Sequence, residues 1–197
     1  MTRVRPDVDL HRIPARLSQD VALARLVVDG LAWCRPANYL KKDCDNMKRA
    51  NWFAVSPEGA KAVGGLHHFV TTGTALPSRL VHLVFLRVSQ INGCAHCIDI
   101  HTRDLLQEGM AIDTVVLVPV WHEAAYLFSE QERAALAWAE EVTRVSETHA
   151  SDAAYAAAAA VFSEKDLVDL TLTIAAMNAI NRLGVSFRLK PRARAEA

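Results

Sequence analysis

Residues 92–101 read Asn92-Gly93-Cys94-Ala95-His96-Cys97-Ile98-Asp99-Ile100-His101. Two thiols stand three residues apart, and an imidazole follows four residues after the second. On a helix, positions i and i+3 share a face and i+4 lies beside them, so Cys94, Cys97 and His101 point into one small space. Gly93 is a natural break at which such a helix begins. The unpaired N–H groups of a first helical turn stabilise negative charge. A Cys-x-x-Cys pair placed there has thiol pKa values below the free value of about 8.5, so both thiols are expected to be unusually acidic.

Three readings of these residues compete. The first is a redox-active dithiol. The second is a structural zinc site, which needs four ligands and a second Cys or His pair at short spacing. Cys34 and Cys44 supply that poorly, being separated by nine residues and lying far upstream. The third is a pair of buried thiols acting as small hydrophobes. His101 argues against it, because an imidazole one turn after a cysteine on the same face costs desolvation in an apolar core and has an evident use in moving a thiol proton. The redox reading is favoured.

The residues ahead of the motif decide the kind of dithiol protein. A thioredoxin-like assignment requires a strand leading into the Cys-bearing helix. From Ser78 to Gln90 the apolar positions Leu80, Val81, Leu83, Val84, Leu86 and Val88 recur at mixed three- and four-residue spacings, with Arg79 and Arg87 between them. The β-branched content leaves a strand open. The length of the run, Pro77 before it and Asn92-Gly93 after it favour a helix.

The stretch from Leu83 to His101, and above all Ser89-Gln90-Ile91-Asn92-Gly93-Cys94-x-x-Cys97-x-x-x-His101, resembles the core of the alkylhydroperoxidase AhpD-like proteins of the carboxymuconolactone decarboxylase superfamily. Ser56-Pro57-Glu58-Gly59-Ala60-Lys61 is similar to the opening helix of single-domain members. Trp121-His122-Glu123, Ser129 to Trp138 and Asn181-Arg182-Leu183 resemble the later helices, so the likeness covers about residues 47–190. The resemblance implies an all-α fold assembling into trimers or hexamers. It also implies a thiol-dependent peroxidase that reduces hydrogen or organic hydroperoxides through a dithiol/disulfide cycle. By position, it makes Cys97 the peroxidatic cysteine that becomes a sulfenic acid, Cys94 the resolving cysteine, and His101 part of a proton relay. The implied reductant is a dithiol, either a lipoyl protein or a thioredoxin-like protein. The chemistry agrees on general grounds: a thiolate attacks the O–O bond, the sulfenic acid condenses with a nearby thiol, and an external dithiol reduces the disulfide.

One position departs from the family pattern. Its well-studied peroxidases carry a glutamate twelve residues before the first cysteine as the base at the far end of the relay, and here that position is His82. A histidine can take a proton at neutral pH, so the relay is expected to persist with an altered pH dependence. The bland alternative for His82 is a partly buried histidine satisfied by a backbone carbonyl. His96, between the cysteines, reads as a packing or pocket-wall residue, while His67, His68, His122 and His149 form no usable pattern.

Composition is compatible with this reading. The chain has 197 residues, 51% of them hydrophobic, which allows both a core and a buried subunit interface. Twenty-two basic and twenty-two acidic residues cancel. No dense Arg/Lys run points to nucleic acid. Apolar runs fall short of a membrane span, and no secretory h-region is visible, so a cytoplasmic location suiting reduced thiols is expected. No Gly-rich phosphate loop appears, and neither a cofactor nor a metal is expected. The rival enzyme reading is a lactone decarboxylase of the same superfamily, which does not need the redox pair. The rival outside enzymology is a redox sensor of the same fold that oxidises once and does not turn over.

Helix punctuation is clear from Ser56 onward. Ser56-Pro57 pairs an N-cap with proline at the first helical position. Ser129 with Glu132 forms a capping-box signature ahead of a helix to about Arg144. Ser163 with Asp166 opens another, expected to end at Arg182 before Gly184. Ala153 to Val161 is alanine-rich and strongly helix-forming. Three segments are expected: an N-terminal extension or upstream start over residues 1–46, a helical domain over 47–190, and a basic tail over 191–197. The extension holds one amphipathic stretch, Val21 to Trp33, and Cys34 and Cys44, read as incidental thiols. A protein starting at Met47 is expected to fold, oligomerise and keep its activity. Circular dichroism and size-exclusion chromatography check this, and loss of helix or of the oligomer would make the extension integral.

Overall fold

The computed structural model describes residues 49–191. The expectations for the extension, including Val21 to Trp33, Cys34 and Cys44, and for residues 192–197 of the tail lie outside these. The described residues form helices and turns with no strand. In chain order the helices are α1 (Trp52–Val55), α2 (Pro57–Thr72), α3 (Ser78–Asn92), α4 (Ala95–Gln107), α5 (Ile112–Leu117), α6 (Glu130–Thr143), α7 (Val145–Thr148), α8 (Asp152–Ala159) and α9 (Glu164–Ser186). Two 3₁₀ turns, Val118–Val120 and Ala125–Leu127, join α5 to α6.

The ambiguous run before the motif is α3, and it is the central helix. Leu80, Val81, Leu83, Val84, Phe85, Leu86, Arg87, Val88 and Ser89 are all buried. A helix apolar all round is one enclosed by other elements, and α3 packs against α4, α6 and α9. Its β-branched residues serve that enclosure rather than a sheet. One face, with Val84, Phe85 and Val88, joins Leu170, Ile174 and Met177 of α9 in the larger core. The opposite face, with Leu83 and Leu86, meets Leu105, Val118, Trp121, Phe128 and Leu136. Arg87 is tolerated among these because Glu140 Oε1 accepts from its Nε at 2.7 Å, and the same carboxylate oxygen accepts from Trp121 Nε1 at 3.0 Å.

The turn between α3 and α4 takes a single glycine. Gly93 sits at φ +69°, ψ +31°, a left-handed conformation that costs glycine little. Its N–H donates to Gln90 O, and the N–H of Cys94 donates to Ser89 O at 3.0 Å. This is the two-bond Schellman closure of a helix C-terminus. Cys94 then caps α4 in an extended conformation, and its carbonyl accepts the first helical bond, from Ile98 N, at 2.9 Å. Gly93 therefore ends one helix rather than beginning the next.

The capping signatures at α6 and α9 are present. Ser129 Oγ accepts from Glu132 N at 3.2 Å, and Glu132 Oε2 accepts from Ser129 N at 2.8 Å. Ser163 Oγ accepts from Asp166 N at 3.1 Å. Pro57 opens α2, although the Ser56 side chain makes no cap bond. The expected end of the last helix at Arg182 is corrected: α9 runs through Gly184 to Ser186. Gly184 is buried inside the helix, where a Cβ would stand 2.9 Å from Cys94 Sγ and 3.8 Å from Cys97 Sγ. The glycine serves a close approach, not a helix stop. No helix among the described residues is long and apolar enough to cross a membrane.

The Ser129 capping box has a measurable worth. Ser129→Ala removes an N-cap and is expected to lower unfolding free energy by about 1 kcal/mol, seen as a lower urea midpoint with an unchanged slope. No change in midpoint would show that the cap contributes nothing.

Candidate active site

Cys94 and Cys97 lie at the N-terminal turn of α4, each with 2% of its surface exposed. Both are free thiols and hydrogen-bond each other. Gly184 of α9 leaves the space the sulfurs occupy. Behind them runs a polar chain. Asn92 Nδ2 donates to Asn181 Oδ1 and to Asn178 Oδ1, both at 3.0 Å. That contact fixes the Asn181 amide, whose Nδ2 donates to Ser89 Oγ at 3.0 Å and faces both thiols. Asn181 and Ser89 are fully buried, so this chain can serve the sulfurs but not bulk water.

The thiol pair holds one proton tightly and releases the other easily. The hydrogen bond from Cys97 pulls the Cys94 pKa down to about 6, aided by the Cys97 backbone N–H, nearby His96 and Asn181 against the cost of burial. The same bond pushes Cys97 up, helped by burial and by the charge on Cys94. The expectation that both thiols are acidic is thus corrected. At neutral pH the pair carries a single negative charge shared through an S–H···S contact, and its titration belongs to the pair.

His101, one turn beyond Cys97, is 5% exposed. Burial, with His82, His67 and His96 nearby, lowers its pKa to about 3, so the imidazole is neutral at physiological pH. Its ring lies 4.9 Å from that of Phe85. His82, from α3, brings its Nδ1 within 3.4 Å of His101 Nδ1. Asp104, unrecognised in the sequence, completes the group: its Oδ2 lies 3.2 Å from His101 Nδ1 and 3.3 Å from His82 Nδ1. The signal that pointed to it is a carboxylate three residues after the histidine, on the same helical face. His82 Nε2 lies 4.0 Å from Glu108 Oε1, and Glu108 accepts from Ser78 Oγ. The structure therefore gathers all four sequence-selected residues around the α3–α4 pair and adds Asp104, Asn181 and Ser89. His96 lies near Cys94 and His101, and its Nδ1 stands 2.7 Å from Lys190 O, pinning the chain after α9 beside the thiol turn.

A shallow opening of about 110 Å³, bounded by Gly93, Ala95, Gly184 and Arg188, reaches Cys94. A larger cavity of about 360 Å³ lies elsewhere, between α6 and α8 among Ala134, Ala137, Ala157 and Arg144.

The profile described as Carboxymuconolactone decarboxylase family matches residues 57–141. An uncharacterized protein of Bacillus subtilis (strain 168), YdfG, is 30% identical over 139 residues, which are 71% of this chain and 93% of that protein. A crystal structure of an Agrobacterium tumefaciens protein of unknown function, assigned provisionally to antioxidant defence as AhpD, superposes with a TM-score of 0.72 at 38% identity, covering 75% of this chain and all of that one. The debrominase Bmp8 superposes with a TM-score of 0.62 at 21% identity over 72% of this chain and 75% of its own, a likeness of fold.

The shared proton gives a direct titration test. With Cys34 and Cys44 replaced by serine, ultraviolet thiolate absorbance is expected to rise by one equivalent as pH rises through about 6, with no second step in the ordinary thiol range. Cys97→Ala, which removes the largest cause, should move the remaining step upward. A two-equivalent step near pH 8.5 in the dithiol protein would contradict the shared-proton description.

Proposed function

From the premise that the chain belongs to the AhpD-like proteins of the carboxymuconolactone decarboxylase superfamily, we propose that it is a thiol-dependent peroxidase acting on hydrogen peroxide or organic hydroperoxides. The observation that carries the reading is the buried pair of thiols sharing one proton, one helical turn before a neutral, carboxylate-oriented histidine.

The steps follow from the residues. The Cys97 sulfur, relieved of its proton through Cys94 or His101, attacks one peroxide oxygen, and the O–O bond breaks. The departing oxygen takes a proton and leaves as water or an alcohol, while Cys97 becomes a sulfenic acid. Asp104 accepts from His101 Nδ1–H and so fixes the tautomer with Nε2 free to accept and return a proton. Once the departing oxygen has taken the shared proton, the Cys94 thiolate attacks the Cys97 sulfur, forming the disulfide and expelling hydroxide, which takes a proton from solvent and leaves as water. An external dithiol, of lipoyl or thioredoxin-like chemistry, returns two electrons by exchange. Cys94 borders the opening, so it is the sulfur that an incoming dithiol meets. The chain is proposed to work as a homo-oligomer, trimer or hexamer, from family resemblance.

A reversed division of labour has one observation behind it: Cys94 is both the more acidic thiol and the one at the opening. Trapping separates the two. After one equivalent of peroxide, Cys94→Ser is expected to hold a sulfenic acid on Cys97 and to complete no further turnover, and Cys97→Ser to consume no peroxide. A sulfenic acid on Cys94 in the Cys97→Ser protein would reverse the roles. Oxidation confined to Cys34 or Cys44 would overturn the peroxidase reading.

A further inference from the structure

His82 Nδ1, His101 Nδ1 and Asp104 Oδ2 form a nearly equilateral triangle with edges of 3.4, 3.3 and 3.2 Å. Hydrogen bonding explains two edges, each an imidazole N–H donating to the carboxylate. It does not explain the third, which brings two ring nitrogens together when both are committed as donors to the same oxygen. Metal coordination explains all three at once. Zinc holds histidine nitrogen and carboxylate oxygen at about 2.0–2.1 Å, and in a tetrahedron that spacing separates neighbouring ligand atoms by about 3.3–3.4 Å. Octahedral ligands at the same bond length stand closer, at about 3.0 Å. The observed edges suit the tetrahedron.

The surroundings are those of a metal site. Metal-bound histidines typically direct their second nitrogen at a carboxylate or carbonyl. The other nitrogen of His82 faces Glu108, which is itself held by Ser78. With its proton moved to Nε2, the other tautomer of His101 presents Nδ1 as a ligand. The side-chain exposures are 6% for His101, 19% for His82 and 30% for Asp104, so the Asp104 corner is the more exposed one. His67 faces the group from α2, stacked on Phe85 at 5.5 Å.

We propose that His82, His101 and Asp104 form a three-ligand binding site for a divalent cation of zinc type, distinct from the dithiol. Two ligands come from α4 at i and i+3, and the third from α3, so the cation clamps the two helices that carry the site. Occupancy takes His101 Nδ1 away from Asp104's tautomer-fixing role. On the peroxidase reading, the cation therefore restrains turnover reversibly.

Cobalt(II), which reports its ligands by colour, tests the site on the full chain. The wild-type protein should take up one equivalent saturably, with visible bands of a tetrahedral nitrogen/oxygen set and no intense sulfur-to-cobalt band. Cys94→Ser/Cys97→Ser should leave the spectrum unchanged, whereas His82→Ala and Asp104→Ala should each weaken binding by more than about tenfold. Histidine NMR of the wild-type protein supplies a reading free of variants: zinc should shift two imidazole ring systems, assigned to His82 and His101. Absence of saturable uptake, uptake indifferent to both alanine substitutions, or loss of the spectrum with the thiols would overturn the site. Binding at the triangle without any effect on peroxide consumption would leave the site standing and count against the relay through His101.

Discussion

The reversal of the chain at Gly93 is the constraint on which the site depends. With φ at +69°, this residue closes α3 by two backbone bonds and hands the chain to α4 with no intervening loop. Cys94 thereby falls at the cap of α4 and Cys97 in its first turn, while His82 on α3 and His101 on α4 are folded face to face. A β-carbon at position 93 would oppose that conformation by roughly 1 kcal/mol or more. The strain would bear on the segment that aligns the thiols with α9. Gly184 is the matching condition on the far side, since any side chain there would push against Cys94 Sγ.

Burial does two different things within this small volume. For Cys94 it is outweighed by hydrogen bonds, whereas for Cys97 it adds to the hydrogen bond with Cys94 that holds the proton. Cys97 S–H, a backbone N–H and Asn181 stabilise charge on Cys94, so the first proton leaves below neutral pH. For His101 burial prevails, and the ring stays neutral beside a carboxylate. On the peroxidase reading, a preformed Cys94 thiolate hydrogen-bonded to Cys97 and an uncharged His101 one turn beyond are both able to take the Cys97 proton before that sulfur attacks the O–O bond. The Asn92–Asn181–Ser89 chain supports the thiol pair with fixed donors that need no rearrangement.

Much of this was legible in the sequence, because its signals are local. The Ser129–Glu132 and Ser163–Asp166 caps are read within four residues, and both are present. The spacing Cys94, Cys97, His101 placed those side chains on one helical face, and His82 lies across from it. The helix from Ser78 was read from the length and flanks of its run, since its periodicity alone did not separate helix from strand. Three features were not legible. Gly184 carries the same signal as a helix stop but answers a contact ninety residues away in sequence, with Cys94. Asp104 and Asn181 are ordinary polar residues until the helices assemble, and the unequal thiols arise from a mutual hydrogen bond that spacing does not rank.

The most direct measurement of the central claim is the number of hydroperoxide equivalents consumed per chain when dihydrolipoamide is supplied in excess and the Cys94–Cys97 disulfide is followed by intact mass. A dithiol peroxidase consumes many equivalents per chain, with the mass alternating between dithiol and disulfide as the reductant runs out. Consumption that stops at about one equivalent, with the pair left oxidised in the presence of unspent dithiol, would contradict the account and identify a sensor on the same helical scaffold.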